Sequence, residues 1–441
     1  MIRCCIDNFD KLKAETAAHE QNHFILSHSR SPLMECLYIL VLNAGSSSQK
    51  SCLYQLPLDS LPDHPPTPLW QAHIDWTKIP GQAAVKIKAN QQIHTQEMPL
   101  SSRPEVMRSV LHTLIAGERP VIADFQQIRL AGHRIVHGGT KYHLPTVITP
   151  AVKQDIADLI PLAPAHHPAH LEGITALEEL LPHCRQIAVF DTAFHHDLPL
   201  AAQVYPIPYS WYEKGIRRYG FHGINHAYCA QRSAQLLGRP LPELKLVCCH
   251  LGNGASLCAI AGGKSVDTTM GFTPLEGLMM GSRSGSIDPG IILHWLRHES
   301  LNGEQISHLL NQESGLKGVS QLSGDMRQIL EARAQGHPGA SLAFDVYIHR
   351  LTQCVGAMVA SLGGCDALIF TGGVGENAAP VRAELCHRLR FLGVDCDPEK
   401  NQLRGEDRDI STPNSSIRVL VIAAEEDWAI AQACWQLHLT R

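Results

Sequence analysis

The chain has 441 residues, 44% of them hydrophobic and 18% charged, and a formal net charge of -5. That is ordinary globular composition with room for two or three domains. It excludes a basic footprint for nucleic acid, and no apolar run is long enough to span a bilayer. Fourteen cysteines are scattered without a CxxC pair. They read as buried free thiols of a reducing cytosol, not as a disulfide or zinc framework. Among the 26 histidines, His166, His167 and His170 cluster. Without HExxH or paired cysteines beside them they read as loop and surface residues.

Residues 1–36 are polar and aperiodic, and Asp7 and Asp10 break any secretory apolar core. This stretch reads as a disordered extension, with Met34 as an alternative start just before the first strong strand. That strand is Leu37 to Leu42; Asn43 to Ser48 is its turn, and Ser51 to Leu56 its return. Pro57 to Pro68 reads as a surface loop, and Val106 to Ala116 has helical spacing. Residues 132–139 (GHRIVHGG) form a short strand that projects Arg134. A charge in an apolar strand needs a partner, either a structural acid or a bound carboxylate or phosphate. Ile187 to Phe190 is another buried strand, closed by Asp191. A carboxylate there suits a general base or a Mg²⁺ site. His222 follows in a loop of small residues.

Residues 246–268 read as strand, turn, strand, turn, strand, with Gly252 and Gly254 letting backbone N–H groups approach an anion. Arg283 lies in the small-residue loop 281–285, and Asp288-Pro289 marks a helix start. Phe344, Ile348, Leu351, Val355, Met358 and Leu362 make a helical stripe for core or subunit interface. Ala367 to Phe370, followed by TGGVGEN, looks like a third strand with a phosphate-type turn. Ile417 to Ile422 is a strand, and Glu425, Glu426 and Asp427 open a final helix, where acids favour the macrodipole or ligate a metal. Three glycine- and hydroxyl-rich turns with arginines between them point to a nucleotide cleft between two similar halves.

Known phosphate loops do not fit. Gly263-Lys264-Ser265 supplies the tail of a P-loop, but Cys258 stands where its first glycine belongs. Gly373-Val374-Gly375 lacks the third Rossmann glycine, and protein-kinase loops are absent.

The chain resembles the acetokinase family, within the superfamily that also holds sugar kinases and actin, from about Tyr38 to Trp428. The resemblance is carried by LNAGSSSQK (42–50), HRIVHGG (133–139), FDTAFH (190–195), RRYGFHG (217–223), HLGNGAS (250–256), TTMGFTPLEGLMMGSRSG (268–285), SGDMR (323–327) and FTGGVGEN (370–377). It implies an α/β fold of two similar actin-like (RNase H-like, ββαβ-cored) domains with the nucleotide between them. The expected division is 1–36 as an extension, 37–194 plus 427–441 as the N-terminal domain, and 195–426 as the nucleotide-side domain with a homodimer interface.

The resemblance also implies a cytoplasmic enzyme that transfers a phosphoryl group reversibly from ATP to acetate, with Mg²⁺ (or Mn²⁺) and no covalent enzyme intermediate. Asn43 and Glu426 would contact the metal, and Ser46, Ser48 and Lys50 the phosphates. Arg134 and Arg283 would hold the substrate carboxylate and the transferring group, His222 would stabilise the transition state, and Asp191 would act as base or through Mg²⁺. ATP would lie against His250, Leu251, Gly252, Asn253 and Gly254, against Asp325, Met326 and Arg327, and against Gly373, Val374, Gly375, Glu376 and Asn377. Val136, Phe221 and Pro274 would wall the acyl pocket.

The chemistry agrees. Transfer to a carboxylate brings two anions together, so cations must neutralise the transferring oxygens. A carboxylate is already ionised at pH 7, which weights Asp191 toward metal organisation. This chain departs from the family wording at Ala165 (Leu is usual), Ser286 (Asp) and Asn225 (Ser). At Glu425 and Asp427 it leaves the register of the last metal ligand open. Ala165 would enlarge the acyl pocket and favour a propionate or short-chain acyl kinase as the alternative. A non-catalytic ATP switch would not need two arginines facing a carboxylate, and a sugar kinase would want polar, hydroxyl-binding walls.

Overall fold

The structure is a computed structural model that describes residues 36–45, 48–100, 102–116 and 120–440. The expectations for the extension and for Ser46 therefore lie outside the described residues.

Two mixed sheets build the molecule. The first contains β1 (Cys36–Ala44), β2 (Ser48–Pro57), β3 (Trp70–Ile79), β4 (Gln82–Ala89), β5 (Gln92–Pro99), β6 (Ile128–Ile135), β7 (Thr146–Val147) and β8 (Arg185–Phe190). Their spatial order is β5-β4-β3-β2-β1-β6-β8-β7. The second contains β9 (Lys245–Leu251), β10 (Ala255–Ala261), β11 (Lys264–Thr268), β12 (Ala367–Thr371), β13 (Arg408–Asp409) and β14 (Arg418–Val421), ordered β11-β10-β9-β12-β14-β13. The cores match. In each, an antiparallel run of three strands (β3-β2-β1, β11-β10-β9) is followed by two parallel strands, β6-β8 or β12-β14.

Local chemistry explains the strands. In β1, Ile39 to Leu42 are all buried, as a central strand covered on both faces requires. In β3, Trp70, Ala72, Ile74 and Trp76 are buried alternately, the period-two signature of a strand with one wet face. The third glycine-rich turn differs from the sequence reading. After β12 the chain enters a short helix, Gly372–Asn377, and makes no return strand. β12 already has β9 and β14 on its two edges, so no edge remains to pair.

The helices that matter here are α1 (Arg103–His112), α2 (Pro150–Asp158), α3 (His167–Leu180), α4 (Gly223–Leu237), α5 (Pro289–His298), α6 (Gly303–Gln312), α7 (Met326–Ala334), α8 (Pro338–Leu362), α9 (Gly372–Asn377), α10 (Ala379–Arg388) and α11 (Glu426–Leu439). Asp288 caps α5 by accepting from the Gly290 N–H at 2.8 Å. The α8 stripe is core, since Phe344, Ile348, Leu351, Val355, Met358 and Leu362 are all buried. The terminal helix α11 packs back on β1 and β6 of the first sheet. Gly132 permits this close approach, because a Cβ there would lie 2.5 Å from Ile430 and 2.7 Å from Cys434.

The histidine cluster also differs from expectation. His167 and His170 are buried in α3, whose first turn contains Pro168. The proline next to the histidines was a helix-start signal, so the surface-loop reading fails. Among the described residues no histidine, cysteine or acid cluster forms a metal cage.

Burial fixes the acid stability of this fold. It lowers His133 and His195 to about 4 and, with His167 nearby, His137 to about 3. The unfolded chain takes up these protons below about pH 6.5, and the native protein does not until near pH 4. Stability is therefore expected to be full above pH 6.5 and to fall steadily toward pH 4. Melting temperatures at pH 7.5, 6 and 5 test this; a flat profile would rule it out.

Candidate active site

The candidate residues sit at the carboxyl ends of the parallel strands, where open α/β sheets place their ligands. Asn43 ends β1, Arg134 lies near the end of β6, and Asp191 follows β8. Arg134 Nη2 donates to Asp191 Oδ2 at 2.5 Å, and its Nη1 reaches Asn43 Oδ1 at 3.4 Å. Asn43 Nδ2 donates to Glu426 Oε2 at 3.0 Å and to Asp427 Oδ1 at 3.1 Å. Thus Glu426 and Asp427 face Asn43. Glu425 lies in the field of Asp427, Asp407 and Glu376, and burial with those charges pushes it up to about 7.

These groups set one another's charge. Burial works against the Arg134 cation, but Asp191 and Glu426 outweigh it and hold the guanidinium charged. Burial raises the Asp191 carboxyl, while Arg134 pulls it back. Burial also opposes Glu426, yet Arg134 and His250 keep it below its usual range.

Across the cleft, His222 precedes α4 in the left-handed region, with φ of 58°. Such a backbone in a non-glycine residue persists only where its surroundings hold it. Gly223 N–H donates to the Asp191 carbonyl at 2.8 Å, and a Cβ on Gly223 would lie 2.3 Å from that oxygen. The His222 ring stacks on His250, with centroids 4.1 Å apart. Its Nδ1 is 2.8 Å from Ser256 Oγ. Burial, followed by the fields of His250 and Arg134, lowers His222 well below the usual histidine range. Arg283 Nη1 donates to the Pro274 carbonyl at 3.1 Å, and no described acid pairs with it. A side chain starting at Gly254 would meet Arg283 at 3.5 Å and His222 at 3.7 Å, so both groups converge on the hairpin tip.

Gly252 behaves differently from expectation. Its N–H donates to the Gly254 carbonyl at 3.0 Å. That donor closes the turn and does not face an anion.

Val136, Phe221 and Pro274 line one cavity together with Arg283, His166 and Ala165. Its volume is about 1090 Å³, because it continues past Thr273 to α5 and α6. The other predicted segments surround the second sheet's strand ends. His250 and Leu251 end β9. Gly281 N–H donates to the Asn253 carbonyl at 3.1 Å and lies against Gly324, bringing the Asp325–Arg327 segment beside the hairpin. Asp325 caps α7 and pairs with the exposed Arg327. Gly373, Val374, Gly375, Glu376 and Asn377 form α9. Arg382 binds the carbonyls of Gly375 and Glu376, each at 2.8 Å. Ser48 and Lys50 lie on β2, with Lys50 directly across from Asn43 and exposed. Met326 is buried behind the Asp325 cap.

A hard divalent cation takes oxygen ligands and keeps several waters. Asp191 Oδ1 is buried with no hydrogen-bond partner among the described residues, and Glu426 and Asp427 lie across Asn43. Mg²⁺ bound by one or two carboxylates, water and substrate phosphates needs no protein cage, so this oxygen set fits it.

Two of the departures have structural roles. Asn225 Nδ2 lies 2.8 Å from His250 Nδ1. Ser286 Oγ accepts from Gly277 N–H at 3.0 Å, closing the loop that carries Arg283. The sequence reading missed His166. Burial, followed by the nearby Arg134 and Arg283, lowers it to about 4. Its signal was its place just ahead of a proline-started helix facing the Arg134 strand.

A sequence profile of the Acetokinase family matches residues 38–432. The chain is 58% identical to an acetate kinase of Microcystis aeruginosa over 401 residues, 90% of this chain and 99% of that one. It is 59% identical to an acetate kinase of Gloeobacter violaceus over 404 residues, 91% of this chain and all of that one. Among solved structures, Porphyromonas gingivalis acetate kinase superposes with a TM-score of 0.84 at 38% identity, covering 91% of this chain and 100% of that one. A propionate kinase from Francisella tularensis superposes with a TM-score of 0.82 at 35% identity, covering 91% and 99%. With its paired sheets, its strand-end charges and these matches together, the chain belongs to the acetokinase family.

Proposed function

We propose that this protein transfers the γ-phosphoryl group of ATP to acetate, giving acetyl phosphate and ADP, and runs the reverse reaction. The observation that carries this reading is the convergence of Arg283 and His222 on the Gly254 tip, in the field of Arg134, beside an apolar pocket of Val136, Phe221 and Pro274 that Arg283 also lines. An acetate oxygen attacks the γ-phosphorus in line, and the bond to the β–γ bridging oxygen breaks. Arg134 and Arg283 orient the carboxylate and neutralise the transferring oxygens, and His222 donates a hydrogen bond to them. Asp191 holds Arg134 and orients the metal site. Asn43 and Glu426 would hold Mg²⁺, which would supply further charge neutralisation at the phosphates. Ser46, Ser48 and Lys50, the hairpin 250–254, residues 325–327 and residues 373–377 would seat the nucleotide.

The same reading divides the chain at 37–194 plus 427–441 and at 195–426. It gives a homodimer through the second half, where Ile291, Leu293 and Leu296 of α5 and Leu342 of α8 expose apolar side chains. A cytoplasmic setting agrees with the twelve free cysteines among the described residues. No described helix is long and apolar enough to cross a membrane.

One observation favours propionate as a second substrate: Ala165 lines the acyl cavity. Trapping acyl phosphate with hydroxylamine in the presence of Mg-ATP tests both readings. Product with acetate above propionate and butyrate is expected, and none with any acid would refute the assignment. Ala165→Leu should lower the propionate-to-acetate ratio of kcat/KM about tenfold, since one methylene is worth roughly 1–3 kcal/mol. An unchanged ratio would remove Ala165 from the acyl wall.

A further inference from the structure

The hydroxyl of Ser256 is fully buried on β10 between two imidazoles. His222 Nδ1 lies 2.8 Å from Ser256 Oγ on one side, and His226 Nε2 lies 2.8 Å from it on the other. His222 immediately precedes α4 and His226 lies in its first turn, and both rings reach the same strand. A serine hydroxyl has one hydrogen to donate. The oxygen could accept from both rings, but among the described residues Ser256 Oγ has no other partner, and its own buried hydrogen would then be orphaned. With both rings neutral it therefore donates to one ring and accepts from the other.

Two arrangements satisfy this rule, and they leave different atoms at the cleft. In the first, His226 Nε2–H donates to Ser256 Oγ, and the serine hydroxyl donates to His222 Nδ1. His222 then carries its proton on Nε2. In the second, every bond is reversed. His222 Nε2 becomes a bare lone pair, and His226 Nδ1 carries a buried hydrogen. That nitrogen has no partner among the described residues. An orphaned buried N–H is rarer and more costly than an unused acceptor, so the first arrangement is favoured.

The cleft selects the same arrangement. His222 Nε2 and Arg283 Nη1 approach a common point above Gly254, within 3.7 and 3.5 Å of where a side chain there would start. Two donors at that point receive an anionic oxygen, whereas a bare lone pair would repel it. The neighbouring ring is held in the same way: the Asn225 amide nitrogen faces His250 Nδ1 at 2.8 Å, which leaves the His250 proton on Nε2. The left-handed backbone at His222 and its stack on His250 fix the ring plane along which the relay works.

We propose that Ser256 and His226 are positioning residues that hold His222 as its Nε2–H tautomer, so that a neutral imidazole donates to the transferring phosphoryl group. The proposal rests on the phosphoryl-transfer reading for its function and on hydrogen-bond geometry for the tautomer. Neither residue touches substrate; both act through His222.

The test has two arms. In protein labelled with ¹⁵N-histidine, long-range ¹H–¹⁵N spectra distinguish a protonated from a bare ring nitrogen, with His222→Gln used to assign the signal. The wild-type protein should show His222 with Nδ1 bare and Nε2 protonated. Protonation at Nδ1 with a bare Nε2 overturns the proposal, even where variants fold poorly. In the kinetic arm, Ser256→Ala should lower kcat about tenfold or more, the scale of one lost buried hydrogen bond, with KM for ATP changed less than about twofold. His226→Gln keeps a donor at the same place and should retain most turnover, whereas His226→Leu should match Ser256→Ala. Wild-type kcat in Ser256→Ala, or equal losses in the Gln and Leu variants, overturns the positioning role. A wild-type protein that forms no acyl hydroxamate would instead sink the kinase reading, while the spectra would still decide the tautomer.

Discussion

Arg283→Ala is expected to cut turnover about 10³-fold while leaving ATP affinity nearly intact. The magnitude is that of removing a cation from the transferring phosphoryl group, roughly 10³–10⁵ in related chemistry. Arg283 is suited to this work because no described carboxylate neutralises it. Among the described residues its side chain hydrogen-bonds to a single backbone carbonyl, that of Pro274. Burial weakens its hold on the proton without making it neutral. Losing it removes no ion pair, so stability should change little. Hydroxamate formation and calorimetric titration with ATP measure the two quantities separately. Turnover near that of the wild type would sink the proposed role. A matched loss of ATP affinity would move Arg283 to the nucleotide site.

Asp191→Asn should have a different signature, losing both activity and stability. Asp191 has a side chain 1% exposed, and its partner Arg134 one 15% exposed. Removing the acid leaves a nearly buried guanidinium with Asn43 and the field of Glu426. Breaking a buried pair costs about 3–5 kcal/mol. Here Glu426 remains near and an asparagine oxygen still accepts, so a loss of about 2 kcal/mol is expected. Turnover should fall about 10²-fold or more, because Arg134 loses the bond that aims it and small misplacements are costly. Denaturant unfolding and the hydroxylamine assay check the pair. A variant with unchanged stability and full turnover would show that Asp191 does not organise this site.

Much of the site was legible because it consists of strand ends. Asn43, Arg134, Asp191 and His250 each lie where an apolar run meets small or polar residues, and that boundary is visible along the chain. The same logic failed after β12. An apolar run before glycines reads as half a hairpin, but whether a return strand can pair depends on which edges are already occupied. It failed again at Gly252, whose N–H was assigned to an anion and closes its own turn. It failed at His167 and His170 as well, where composition suggested surface and the helix start at Pro168 led to burial.

By itself, the sequence determined the family, the existence and order of the central strands, and which polar and charged residues stand at their ends. Those properties are local: period, turn chemistry and motif spacing are written within a few residues of one another. Only the tertiary structure decided which acids face Asn43, that Ala165 shares a cavity with Val136, Phe221 and Pro274, that the 344–362 stripe is core, and that Ser256 stands between His222 and His226. Each of these joins residues distant in the chain. Their contacts follow from how α3, α4 and α11 pack against the two sheets, and a single sequence carries no local signal for that packing.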